Sequence, residues 1–250
     1  MHQSLFTAWK KLLLAYFISA AAGMVFGTVL LNLIKIAPET IFEISTKRLS
    51  YALPVISMGT QAGLDTGISI FLWNGVGALA TISLIFTATL FNPFNIGRSP
   101  RVIRNLFCSP TRMKLLCFLP GCMKIEQEPL RRLYVWLMIP LIGMILLGIE
   151  TGLSLSTTHQ IFGSYLTGIT SLVPHGIIEI PAFAMAGAVT FSGHLVIKPK
   201  ISNNPIPKIF QELKSHRQRM PITKVSLAVI FCLLLAGVIE AHVTQALIGK

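Results

Sequence analysis

Residues 225–247 read VSLAVIFCLLLAGVIEAHVTQAL. Glu240 is the one acid in this run, and no lysine or arginine interrupts it. A helix rises 1.5 Å per residue, so crossing a hydrocarbon layer of about 30 Å takes about 20 predominantly apolar residues. The stretch therefore predicts a transmembrane helix. Four more runs pass the same test, at residues 12–34, 68–91, 133–155 and 173–197. The predicted fold is all-α: a multispanning transmembrane bundle of about five spans, with residues 1–250 forming one integral membrane domain.

Composition agrees. Of the 250 residues, 53% are hydrophobic and only 12% are charged, about half the charged share of a soluble domain. Mean hydropathy is +0.70. The composition excludes intrinsic disorder, collagen and a disulfide scaffold. A formal charge of +12 raises the question of nucleic acid. A nucleic-acid binder spreads its cations over a polar surface. Here they fall between apolar runs, so the expected partner is the lipid bilayer and not nucleic acid.

The cations also predict orientation. Lys10 and Lys11 precede the first run. The connection at residues 92–132 holds Arg98, Arg101, Arg104, Arg112, Lys114, Lys124, Arg131 and Arg132. The connection at residues 198–224 holds Lys198, Lys200, Lys208, Lys214, Arg217, Arg219 and Lys224. Between these, residues 156–172 carry no lysine or arginine, and Lys35, Lys47 and Arg48 are balanced by Glu39, Glu43 and Asp65. Connections alternate between rich and poor, which places the N-terminus and both basic loops in the cytoplasm of a multi-pass protein of the plasma (inner) membrane. Ala20-Ala21-Ala22 resembles a signal-peptide cleavage site, but the apolar run continues through Leu33, so a retained helix is expected. Residues 98–119 mix Arg98, Arg101, Arg104, Arg112 and Lys114 with apolar side chains. The segment suits either the anionic membrane surface or an ordinary solvated loop. Cys108, Cys117 and Cys122 in this connection lack close metal-knuckle pairing and, with Cys232, are expected to be unpaired thiols.

Small residues four apart mark packing seams: Ser19, Gly23 and Gly27; Gly148 and Gly152; Ala184 and Ala188. They let helix backbones approach closely, and intramolecular packing is favoured over oligomer contacts, although oligomerisation remains open. Residues 35–67 predict a short amphipathic helix followed by Gly59, Gly63 and Gly67. These glycines form either one bare helical face or a flexible entry to the second span.

Ionisable residues inside a membrane are costly, about 2.5–3.5 kcal/mol each on insertion scales, and point to function. They are Glu150, His175, Glu179, His194 and Glu240, with Asn74 as a polar amide. From the span boundaries and the predicted orientation, Asn74, Glu150, Glu179 and Glu240 all lie about 7–10 Å from the outer ends of their helices, in the outer leaflet. Four helices thus bring polar groups to one layer, with His194 apart near the opposite face. His175 and Glu179, four apart, share a helix face. Pro174 fits the first turn of its helix, whereas Pro181 removes the bond to the Ile177 carbonyl and predicts a kink beside the acid. The layer reads either as a hydrogen-bonded lock or as a cavity that handles ions. One His and three Glu are enough metal ligands in number, but there is no H-E-x-x-H and no second His on the same face, so no metal or cofactor is assigned. No Gly-x-Ser-x-Gly elbow and no phosphate loop occurs, so no catalytic residue is assigned.

The run Pro174-His175-Gly176-Ile177-Ile178-Glu179-Ile180-Pro181-Ala182, followed by Ala186-Gly187-Ala188, resembles the signature of the stage II sporulation protein M family. Phe71-Leu72-Trp73-Asn74 resembles its earlier apolar-Asn element, and Val238-Ile239-Glu240-Ala241 its closing Ile-Glu-Ala element. The resemblance implies a multispanning helical membrane protein. The named member works in a complex that remodels peptidoglycan during sporulation, where it resembles a membrane scaffold for cell-wall hydrolases. Many relatives do not sporulate, and the long basic second connection with three cysteines departs from the family pattern. The expected function is a non-enzymatic scaffold or assembly factor with membrane or envelope protein partners. The alternative is a small permease or channel component whose acids handle protons or cations.

Overall fold

A computed structural model describes residues 3–93, 101–102, 105, 121–201 and 204–244. Among these residues the chain is helical throughout, with no strand. The helices are α1 (Gln3–Asn32), α2 (Pro38–Ser50), α3 (Leu53–Gln61), α4 (Thr66–Thr87), α5 (Glu128–Phe162), α6 (Tyr165–Ile197), α7 (Ile206–Arg219) and α8 (Ile222–Val238). A 3₁₀ turn (Ala88–Phe91) extends α4, and a π-helical turn (Ile239–Thr244) extends α8. Among the described residues five helices are long and apolar enough to cross a membrane: α1, α4, α5, α6 and α8 with their extensions. The protein is an all-α membrane bundle, as the apolar runs predict.

The first span shows how side-chain size sets the packing. Its buried residues are Leu5, Ala8, Leu12, Tyr16, Ser19, Gly23, Gly27 and Leu31, a stripe three or four apart. Leu14, Phe17, Ile18, Val25 and Phe26 on the other faces are exposed, as lipid-facing side chains must be. The stripe lies against α5, and the expected seams mesh with each other. A Cβ built on Gly23 would stand 2.6 Å from the Ile149 carbonyl oxygen. Built on Gly152, it would stand 2.5 Å from the Met24 nitrogen. Gly27 faces Ser156, and Gly148 faces Ser19. These seams are intramolecular.

Several connections differ from expectation. Residues 156–172 were expected to form a loop, but α5 and α6 run through them and leave only Gly163 and Ser164 between. Gly163 takes a left-handed φ of 75°, and the Ser164 hydroxyl accepts a hydrogen bond from the Leu166 amide (3.1 Å) to cap α6. The hydroxyl groups that suggest a loop are satisfied within the helices: Ser156 donates to the Leu153 carbonyl (2.7 Å), and Ser171 to that of Gly168 (2.8 Å). Pro174 is consequently interior to α6 and not in its first turn. Pro181 is interior too, and α6 continues unbroken through both. Pro140 is a third interior proline, in α5, where its Cβ lies 3.0 Å from a Cβ built on Gly187 of α6.

Of the two readings of the three glycines, the single bare helical face is not formed. Gly59 lies in α3, Gly63 takes φ 80° just beyond it, and Gly67 begins α4. The left-handed turn is needed to reverse the chain, and it breaks the helical register. Gly67 packs elsewhere: a Cβ there would be 2.8 Å from the Gly237 carbonyl oxygen of α8.

Two helices flank the spans. Helix α2 lies along α5, with Phe42 edge-on to Phe162 (ring centroids 6.2 Å apart) and Arg48 beside Glu150. It therefore descends along α5 from the α5–α6 turn toward the bundle's middle. At the other end, the basic connection at residues 198–224 contains α7. This helix buries Ile209, Phe210, Leu213 and His216 against the spans and holds an ion pair between Lys200 and Glu212. One sequence expectation about thiols fails: Cys122 is disulfide-bonded, while Cys232 is free and Cys108 and Cys117 lie outside the described residues. A covalent partner cannot be read from a single-sequence cysteine spacing.

Candidate functional site: an intramembrane polar layer

The α4 helix starts at Thr66, capped by Asp65, whose carboxylate accepts from the Gly67 amide at 2.8 Å. That start carries Asn74 onto the side facing α6. Its Nδ2 donates to Glu179 Oε1 at 3.0 Å. One turn along α6, His175 Nε2 stands 3.9 Å from Glu179 Oε2, too far for a hydrogen bond. The other ring nitrogen, Nδ1, lies 3.4 Å from Thr244 Oγ1 in the π-turn after α8. Glu240 enters from the same turn. Ligand atoms of His175, Glu179 and Glu240 all lie within 4.8 Å of one another. Glu240 has no hydrogen-bond partner among the described residues. The structure thus gathers Asn74, His175, Glu179 and Glu240 from three spans.

Glu150 is placed differently. It sits on α5 and pairs with Arg48 Nε of α2 at 3.3 Å. The Arg48 charge also acts on Glu179, so the two parts of the layer are neighbours without direct contact. Tyr16 of α1 borders both, its hydroxyl donating to Thr151 Oγ1 at 3.3 Å and interacting electrostatically with Glu179. Near the layer's rim, His242 Nε2 lies 3.0 Å from Asp65 Oδ2. The distances from the helix ends are longer than the span boundaries predict. Because α6 begins at Tyr165, Glu179 is about 21 Å along it, and because α5 runs to Phe162, Glu150 is about 18 Å from its end. Asn74 is only about 12 Å into α4. The α5–α6 hairpin projects further than α4, which offsets the difference and leaves Asn74 level with Glu179.

Sequence reasoning missed three of these participants. Arg48 was counted only as a loop cation. Thr244 and His242 lie in the last span, but a threonine and a histidine near a helix end carry no signal without their partners. The signal for Arg48 was present: it sits in the last turn of an amphipathic helix, six residues after Phe42.

The remaining candidates lie elsewhere. His194 is buried at the basic end between Tyr134 and Phe191, with ring centroids 4.6 and 5.4 Å away. Its Nδ1 has no hydrogen-bond partner among the described residues. Beside it, Ser192 Oγ is 2.9 Å from Nε2 of His216, which α7 supplies. Of the surface cations, Arg101 is exposed. Arg98, Arg104, Arg112 and Lys114 lie outside the described residues.

A family model described as Stage II sporulation protein M matches residues 71–245. The match begins in α4 and takes in Asn74, Glu150, His175, Glu179, Glu240 and Thr244, while α1, α2 and Arg48 precede it. No curated protein and no solved structure matches the chain.

Proposed function

The chain belongs to the stage II sporulation protein M family, and from that premise we propose that it is a non-enzymatic scaffold or assembly factor of an envelope complex in the plasma membrane. The observation that carries this reading is the closure of the polar layer. Asn74 holds Glu179 at 3.0 Å across the α4–α6 boundary, and His175 meets Thr244 at 3.4 Å across the α6–α8 boundary. Groups paired in this way fix the relative positions of three spans, because separating them leaves polar atoms unsatisfied in hydrocarbon. A scaffold needs such a fixed frame to present surfaces to membrane or envelope protein partners. The cation pattern supports an N-terminus and two basic loops in the cytoplasm.

A second reading, a small permease or channel component, is favoured by Glu240, whose carboxylate shares the space with Glu179 and His175 without a hydrogen bond of its own among the described residues. Glu179→Gln separates the two. It keeps an acceptor for Asn74 but cannot titrate. The scaffold reading expects Glu179→Gln to retain the wild-type set of co-purifying envelope proteins and the wild-type phenotype, and Glu179→Ala to lose both. Loss of function in Glu179→Gln with assembly intact would replace the scaffold by the ion-handling reading. Orientation is checked with an impermeant maleimide in a cysteine-free background. Ser164→Cys, in the α5–α6 turn, is expected to label from outside and Ser202→Cys is not.

A further inference from the structure

We infer that His175, Glu179 and Glu240 form a binding site for a divalent transition-metal cation of the zinc or manganese type. The inference rests on the reading of the polar layer as a lock and adds a bound ion to it, the hydrogen bonds to Asn74 and Thr244 holding the layer by themselves. His175 Nε2 and Glu179 Oε2 are 3.9 Å apart, and the third ligand, Glu240, keeps all three within 4.8 Å. Metal–nitrogen and metal–oxygen bonds of about 2.1 Å put cis ligand atoms about 3.4 Å apart in a tetrahedron. A small adjustment of side-chain torsions closes that difference.

The groups behind the ligands are already in place. A metal-binding imidazole is held by a hydrogen bond from its other nitrogen, and a metal-binding carboxylate by a donor on its other oxygen. Here Nδ1 of His175 faces Thr244 Oγ1 at 3.4 Å, which leaves Nε2 for the cation. Asn74 Nδ2 occupies Glu179 Oε1 at 3.0 Å, which leaves Oε2. The neighbours thus take the two atoms that face away from the shared space. The π-turn is the local device that delivers the third ligand. Glu240 and Thr244, four apart in Ile239–Thr244, both reach toward α6. Such turns are rare and occur frequently at functional sites.

Charge supports the same assignment. Two carboxylates this close repel each other in a medium of low dielectric. A divalent cation with a neutral imidazole and two carboxylates gives a site of zero net charge, the condition for keeping ions out of water. Among the described residues the guanidinium that approaches, Arg48, is already paired with Glu150. A mixed nitrogen and oxygen set selects zinc, manganese or iron over copper(I), which prefers sulfur, and over magnesium, which prefers oxygen. The cross-helix origin of the set explains why motif spacing discounts it: the histidine and one acid lie on α6, and the second acid comes from a turn 61 positions later in the chain.

The test uses the full-length protein in detergent or nanodiscs, stripped with chelator and titrated with Zn²⁺, Mn²⁺ or Mg²⁺ by calorimetry, with metal content measured after dialysis. The expected result is one Zn²⁺ per chain, with Mn²⁺ competing and Mg²⁺ not. Glu240→Gln, which has no internal hydrogen bond to lose, is expected to fold and to bind Zn²⁺ at least tenfold more weakly. Asn74→Ala and Thr244→Val are expected to weaken binding by roughly 10- to 100-fold, as changes behind a metal ligand do. Glu43→Gln, an exposed acid on α2, is expected to bind as the wild type does. Absence of stoichiometric Zn²⁺ binding, or binding unchanged in Glu240→Gln, would overturn the site. The readout is metal content and not assembly, so the lock and its metal can fail separately. Stoichiometric Zn²⁺ in the wild type with partners retained in Glu179→Ala would discard the lock, and partner loss in Glu179→Ala with no Zn²⁺ in the wild type would discard the metal.

Discussion

The α1–α5 seam and the α4–α6–α8 layer join helices by opposite means. In the seam, Gly23, Gly27, Gly148 and Gly152 remove side chains until the two backbones touch. In the layer, Asn74, His175, Glu179, Glu240 and Thr244 add polar side chains until three helices are bonded. Lipid tails are as apolar as leucine, so burial of apolar surface does not by itself drive spans together. Close dispersion contact and satisfied hydrogen bonds remain, and the bundle uses one on each side. The seam should tolerate changes of chemistry but not of volume. The layer should tolerate changes of volume but not of chemistry.

The strongest way to break this contrast is to add volume to the seam. Gly152→Leu places its branch against the Ala20 carbonyl and the Met24 amide, where only backbone movement makes room. It is expected to cost about 3 kcal/mol or more. Thermal denaturation in detergent reads the effect. Gly143, on the same helix, meets nothing within 4 Å of a built Cβ. Gly143→Ala is expected to be neutral or stabilising by about 0.5–1 kcal/mol. Equal melting temperatures for the two variants would mean that the seam is not in contact.

Next in size is the chemistry of the layer. Glu179→Ala removes the acceptor of Asn74 and is expected to destabilise by about 1–3 kcal/mol. Glu179→Gln, nearly the same volume, is expected to lose less than half of that in the same denaturation assay. A larger loss for Gln than for Ala would contradict a layer held by hydrogen bonds. A double-mutant cycle between Asn74→Ala and Glu179→Ala sharpens the point. Interhelical hydrogen bonds in membranes couple by about 0.6 kcal/mol on average. A coupling of that order is expected, and strict additivity would show that the 3.0 Å contact contributes nothing.

The smallest effect belongs to Arg48→Ala. Its pair with Glu150 is 3.3 Å long, but the two side chains are 54% and 32% exposed. Screening by solvent leaves such pairs with about 0–1 kcal/mol. The loss, measured by melting temperature, is expected to shrink as salt rises. A salt-independent loss as large as that of Glu179→Ala would place Arg48 in the same bonded layer.

Much of this was legible in the chain. The five spans follow from apolar runs because each helix satisfies its own backbone and needs no partner to be recognised. The seams were legible because a residue every four positions defines a face on any helix. His175 and Glu179 were legible together for the same reason. What the sequence hid was contact between helices. Glu150 looked equivalent to Glu179, yet it pairs with a helix that was read as a surface connection. Thr244 looked like an ordinary helix-end residue, yet it orients a histidine. Residues 156–172 looked like a loop because serine and threonine are polar, yet their hydroxyls bond to carbonyls of their own helices.

The amino-acid sequence by itself determined the class of the protein, its five crossings and the short list of residues that do not belong in hydrocarbon. Those follow from transfer free energies and helical periodicity, which are properties of each segment alone. Only the tertiary structure decided which of the listed residues meet. That outcome depends on helix lengths beyond the membrane, on a two-residue turn between α5 and α6, and on a π-turn that re-aims Glu240. None of these is a local property, because each is fixed by what the neighbouring helix presents.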